Sequence, residues 1–246
     1  MSDIFQRIEA HQGELPWGRF LDAGTGWSSL RWALNLPTES VTAVTGSAGR
    51  LSGLQQDFGP QLRGQDRLLC GNWVEESFLA GERFQTVLVD YLVGAMDRFA
   101  PYYQTRIFTR LRRLVEGRLY VVGLEPYPEP GPGQEDGELL QQLVALRDAT
   151  ILLSGDRPHR EFPRWWIRDQ LNLAGYEILE EETFPILYGE QFVKAELDVC
   201  LRCMKKTPKA LQPALANQEK SLRKRLLERV KSRPLSWGND YLLVAK

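Results

Sequence analysis

A chain of 246 residues with 43% hydrophobic residues has enough apolar material for one sizeable core, so a single catalytic-sized domain over 1–246 is expected. Lysine and arginine number 31 against 32 aspartates and glutamates, and a net charge of -1 gives no electrostatic case for an extended nucleic-acid surface. Three cysteines and an N-terminus without signal-peptide character fit a reducing cytoplasm, and apolar runs such as Val87-Leu88-Val89 fall far short of the ~20 residues that span a bilayer, so a soluble protein is expected.

Ile4, Phe5 and Ile8 share one helical face, which predicts an N-terminal helix within 1–15 that Pro16-Trp17-Gly18 ends. A first strand is predicted at 19–22, then a glycine loop, then a helix over Trp27 to Asn35. The β-branched run Val41 to Thr45 reads as a strand, and Ser47 to Phe58 as a helix with Ser47 as its N-cap. The alternation continues with a strand at Arg67 to Cys70, a short helix near Val74 to Leu79 and a strand at Phe84 to Asp90. A helix at Pro101 to Val115 and a strand at Arg118 to Leu124 follow.

Residues 125–137 are rich in proline and glycine and predict a loop that could act as a gate. Helices are expected at 138–153 and 163–174, a strand from Gly175-Tyr176 onward, and a last strand at Tyr241 to Ala245. Two more helical patterns within 187–236 predict a cap inserted between the last two strands. The fold class is therefore α/β, with compact apolar strands in a mostly parallel sheet buried on both faces. Ligands of such sheets sit at the carboxyl ends of the strands.

One loop stands out. In Asp22-Ala23-Gly24-Thr25-Gly26-Trp27-Ser28-Ser29, a strand ending in Asp meets Gly-x-Gly and a helix start, where small residues let a ligand lie against backbone N–H groups. Asp22 stands where nicotinamide-binding loops usually carry an apolar residue, and Ser29 replaces their third glycine. With the late strand at Tyr241 to Ala245 as a seventh, the sequence resembles class I S-adenosylmethionine-dependent methyltransferases over 15–185 and 238–246. The resemblance implies a seven-stranded doubly wound Rossmann-like sheet and S-adenosylmethionine as cofactor, with S-adenosylhomocysteine as product.

By that resemblance, Asp22, Gly24, Thr25 and Gly26 would hold the methionine portion of the cofactor. Asn72 and Trp73 would read and pack the adenine, and Asp90 and Tyr91 would line the sulfonium and substrate side. The family usually has an acid at the end of the second strand to take the ribose hydroxyls; here Thr45 stands there and offers a weaker neutral contact. A degenerate, non-catalytic binding protein therefore stays open beside the enzyme, and an NAD(P)-dependent enzyme is a further alternative. Trp27, Tyr91 and Trp73 are candidate aromatic faces for a cationic donor, against plain core packing.

Glu125, at the end of the fifth strand, and His159 are candidate general bases, against the reading of solvated loop residues. Tyr127, Trp165, Trp166, Phe162, Tyr188 and Phe192 are candidates for an apolar substrate wall. Cys200 and Cys203 read as structural rather than metal-binding. The basic run from Lys220 to Arg233 reads as a solvated face of an amphipathic helix. No Asp/Asn-Pro-Pro-aromatic stretch follows Asp90 and no Asp-Asn pair follows the fifth strand, which leaves O- or N-methylation of a small molecule, with no membrane or nucleic-acid partner.

Overall fold

The computed structural model describes residues 3–246, so the first two residues of the predicted N-terminal helix lie outside the described residues. The strands are β1 (Arg19–Asp22), β2 (Ser40–Thr45), β3 (Arg67–Cys70), β4 (Phe84–Asp90), β5 (Val115–Leu124), β6 (Ile178–Tyr188) and β7 (Leu235–Ala245). They form one sheet in the order β3-β2-β1-β4-β5-β7-β6. The first five pair in parallel, and β7 runs antiparallel to β5. Pro185 falls in β6, an edge strand, where a missing backbone donor is tolerated.

The chain divides into two compact units, residues 1–125 with 160–184 and 240–246, and residues 126–159 with 185–239. In the first unit both sheet faces are covered. One face carries Leu21, Val87, Val89, Leu119, Val121 and Leu243, packed with Ile107, Leu111, Ile167 and Leu171. The alternate side chains Phe20, Leu88, Tyr120, Val122 and Leu242 face Ile4, Phe5, Ile8, Leu30 and Leu54. Helix α1 (Asp3–Gln12) is fixed there by Phe5 stacked on Trp32 at 4.6 Å and by the Tyr120 hydroxyl donating to Gln12 at 2.6 Å.

Helices α2 (Trp27–Ala33) and α3 (Ala48–Phe58) follow β1 and β2, and Ser47 caps α3 by accepting from the Arg50 amide at 3.2 Å. Two local expectations are corrected, and one helix was not expected. Residues 74–79 form turns, with Leu79 at positive φ, rather than a helix. The helix expected over 101–115 is reduced to α5 (Ile107–Arg112), because Tyr102 adopts a left-handed conformation and β5 begins at Val115. Helix α4 (Leu92–Phe99), directly after β4, was not foreseen in sequence; Tyr91, at φ 48°, makes the turn into it without a side-chain cap.

The second unit is built around α6 (Glu135–Leu153), α8 (Glu190–Met204) and α9 (Gln212–Val230). Its core joins Leu139, Leu143, Val193, Leu197, Leu222 and Leu226. The sequence expectation set 187–236 apart as the insertion; α6 packs with α8 and α9, so the unit also takes in 126–159. Two arginines of α9 are held by acids: Arg223 pairs with Glu219 and Asp198, and Arg229 with Asp136 at 2.8 Å, while Lys220, Lys224 and Arg225 lie on its exposed face. Cys200 is buried in this core, and no metal-holding cluster of His, Cys, Asp and Glu exists among the described residues. No helix among them is long and apolar enough to cross a membrane.

Candidate functional site

The carboxyl ends of β1 and β4 carry an acid each, and the strand registers decide what they meet. Asp22 lies beside Leu88, Asp90 beside Val122, and Leu124 of β5 beside Asp240 of β7. Side chains alternate along a strand, so Asp22 follows Phe20, Asp90 follows Leu88, and Asp240 precedes Leu242 on the same sheet face. Three carboxylates thus form a diagonal row over the strand ends.

No cation pairs with any of them among the described ion pairs. Asp22 is fully buried, and neither of its carboxylate oxygens has a hydrogen-bond partner. Burial pushes its pKa up to about 6, while the nearby Ser29 and Thr25 hydroxyls and the Gly24 amide hold the rise in check. Burial, with the charges of Asp22 and Asp240, pushes Asp90 up to about 8. Burial raises Asp240 to about 6, while the nearby Tyr91 hydroxyl holds the rise in check. A buried, unpaired carboxylate costs several kcal/mol, on the order of the penalty for any uncompensated buried charge, unless a ligand answers it.

The glycine loop lies directly against this row. Three of its amides are already engaged: Ala23 N–H donates to the Leu88 carbonyl, Thr25 N–H to the Val44 carbonyl and Gly26 N–H to the Ser29 hydroxyl at 3.0 Å. Ser29, in place of a third glycine, closes the helix start. Three of the loop's N–H groups are thus taken within the protein, and its small residues leave room for close backbone approach. A Cβ on Gly24 would come within 2.8 Å of Leu92, so glycine is also required to seat α4.

Other expected residues divide clearly. Thr45 is buried, and its hydroxyl accepts from the Ser47 amide at 3.3 Å. The Asn72 amide donates to the Phe99 carbonyl at 3.0 Å, and the Phe99 ring lies on Gly46, so reading a base edge with Asn72 requires that bond to be exchanged. Trp73 is 4% exposed and donates to the Ala23 carbonyl at 2.9 Å, which makes it core packing beneath the loop and no ligand platform. Trp27 is turned to α3, donating to Asp57 at 2.6 Å with Arg50 over its ring, and so does not face the row.

Glu125 is not a poised base. It accepts from the Arg164 amide at 3.2 Å and pairs with that guanidinium at 3.9 Å. His159 is exposed and belongs to the second unit. Tyr127 and Tyr188 also belong to the second unit, where their hydroxyls meet at 2.7 Å and Tyr188 packs on Phe192. They are part of that unit's own packing. Of the adjacent tryptophans, Trp166 packs against Phe162 at 4.6 Å, whereas Trp165 is 57% exposed. Asp240 was missed in sequence; its signal was an acid opening the terminal apolar strand.

No protein-family model matches the chain, and no curated protein matches it in sequence. Solved structures match it in fold. A methyltransferase candidate from Bacillus halodurans C-125 superposes with TM-score 0.62 at 15% identity, over 100% of this chain and 98% of that one. A mycolic acid cyclopropane synthase complexed with S-adenosylhomocysteine gives 0.59 at 14% identity, over 98% and 82%. An S-adenosylmethionine-dependent methyltransferase from Geobacter sulfurreducens, also with S-adenosylhomocysteine, gives 0.55 at 11% identity, over 100% and 91%.

Proposed function

We propose, from the class I S-adenosylmethionine-dependent methyltransferase fold that this chain has, that it transfers a methyl group from S-adenosylmethionine to an O or N atom of a small-molecule acceptor. The observation that carries this reading is the buried Asp22 carboxylate, both oxygens without a partner, at the head of a row of acids beside the glycine loop. Bound S-adenosylmethionine supplies a methyl group activated on a sulfonium, together with an ammonium group. Asp22, buried and without a partner, fits that ammonium. Asp90 would face the sulfonium, and the Gly24 to Gly26 backbone would take the amino-acid portion. Thr45 and Asn72 would meet the ribose and adenine. Methyl transfer by in-line displacement depends on alignment and exclusion of water more than on a strong acid or base.

A non-catalytic protein of the same fold is the second reading, favoured by Thr45 in place of a ribose-binding acid and by the engaged Asn72 amide. The antiparallel β7 between β5 and β6 departs from the parallel sheet of dinucleotide-binding enzymes, which weighs against a nicotinamide cofactor. Titration calorimetry with S-adenosylmethionine and S-adenosylhomocysteine tests cofactor binding; saturable heats with both are expected, and no binding at millimolar concentration would sink the proposal. Gly24→Val is expected to abolish binding by pushing Leu92 and closing the backbone approach. Unaltered affinity in a folded variant would remove the loop from the site.

A further inference from the structure

Resting on that reading, we infer that the methyl acceptor is an amine, bound as an ammonium by Asp240 and Tyr91 at the outer end of the carboxylate row. The row holds three acids, whereas the donor brings two positive charges to it, an ammonium and a sulfonium. Asp22 and Asp90, on adjacent strands β1 and β4, are the pair nearest the glycine loop. Asp240 lies beyond them, across β5, and is left without a counter-charge by the donor alone.

Its surroundings suit an incoming cation. The Tyr91 hydroxyl is near enough to hold down the rise of the Asp240 carboxyl, whose lone pairs stay available for an ammonium. Tyr91 is 40% exposed, and its left-handed backbone, φ 48° and ψ 17°, is held at the β4 end although no glycine provides it. A half-exposed aromatic ring beside a carboxylate recognises ammonium by charge and by its π face. Asp22 and Asp90 are taken by the donor, and Glu125 is engaged by the Arg164 amide and faces its guanidinium, which makes Asp240 the acid of the row assigned to the acceptor's proton.

The step balances on these groups. The ammonium gives one proton to the Asp240 carboxylate; the freed nitrogen lone pair forms the N–C bond to the methyl carbon as its C–S bond breaks. The products are the N-methylated ammonium, neutral S-adenosylhomocysteine and protonated Asp240, which releases its proton to solvent.

Two measurements test the inference. The first compares S-adenosylhomocysteine with sinefungin, which carries an amine where the donor has its methyl sulfonium, by calorimetry on the native protein, Asp240→Asn and Tyr91→Phe. Asp240→Asn is expected to weaken sinefungin by about tenfold or more while S-adenosylhomocysteine stays within about twofold. Equal losses for both ligands, or none, overturn the role of Asp240, and Tyr91→Phe gives a smaller loss in the same direction if Asp240→Asn does not fold. The second supplies carbon-13-methyl S-adenosylmethionine with the low-molecular-weight fraction of a cell lysate and assigns the labelled methyl by its carbon shift. Label on nitrogen, lost in Asp240→Asn, supports the inference. Label on oxygen or carbon, or no transfer by protein that binds the donor, overturns it. Absence of donor binding would instead fail the reading of the whole site.

Discussion

Asp22→Asn is expected to weaken S-adenosylmethionine binding by about 10- to 100-fold, the range for losing a hydrogen-bonded charge partner. The same change should raise the stability of the free protein. Asp22 is buried with both oxygens unpartnered, and its pKa is pushed up to about 6 from an ordinary 3.8. Keeping it ionised above pH 6 therefore costs folding roughly 3 kcal/mol. Removing the charge lifts that cost, and a domain of this size gains about 2–4 °C in melting temperature per kcal/mol. Calorimetry and thermal melts on one preparation at pH 7.5 check both halves. A variant that binds normally would show that Asp22 answers no ligand; one that binds poorly and melts lower would mark it as structural.

The free protein should also lose stability as pH rises from about 5 to 8.5. Asp22, Asp90 and Asp240 are raised to about 6, 8 and 6. Each holds its proton more tightly folded than unfolded, so its contribution is fully present below the unfolded value and is lost as pH climbs through the folded one. The total is on the order of a few kcal/mol. Carboxylates held by arginine, such as Asp66 by Arg63 and Glu82 by Arg67, are lowered and act in the opposite sense at more acidic pH, which leaves this window to the row. S-adenosylmethionine should stabilise most at the alkaline end, where the row is ionised. Melts at pH 5.5, 7 and 8.5, with and without the donor, test this, and Asp90→Asn should flatten the slope. A free protein more stable at pH 8.5 than at 5.5 would refute the picture.

Much of the frame is legible from local pattern. Arg19–Asp22 and Phe84–Asp90 are strands over the ranges their apolar runs predict, because a buried parallel strand needs an unbroken apolar run bounded by turns. Ser47 is readable as a cap because its hydroxyl serves an amide three residues away. Elements whose ends depend on distant partners are not readable in this way. β7 begins at Leu235 rather than Tyr241, and β6 continues through Pro185. α4 has no cap signal, and its short apolar set Leu92, Val93 and Met96 gains a helix through burial against the core.

At the site, the sequence alone determined the loop from Asp22 to Gly26, the missing acid at Thr45 and the acid ending β4, since each belongs to one strand and the turn after it. Tertiary structure decided which of these groups are free. Trp73 was removed to the core, Glu125 was neutralised by Arg164, and the loop amides were engaged by Leu88, Val44 and Ser29. It also brought Asp240 into the row, because β7 returns antiparallel beside β5 and its register sets Asp240 next to Leu124. Local chemistry fixes which residues can carry a charge; only the pairing of distant strands fixes which charges share one desolvated surface, and therefore which are left for a ligand to answer.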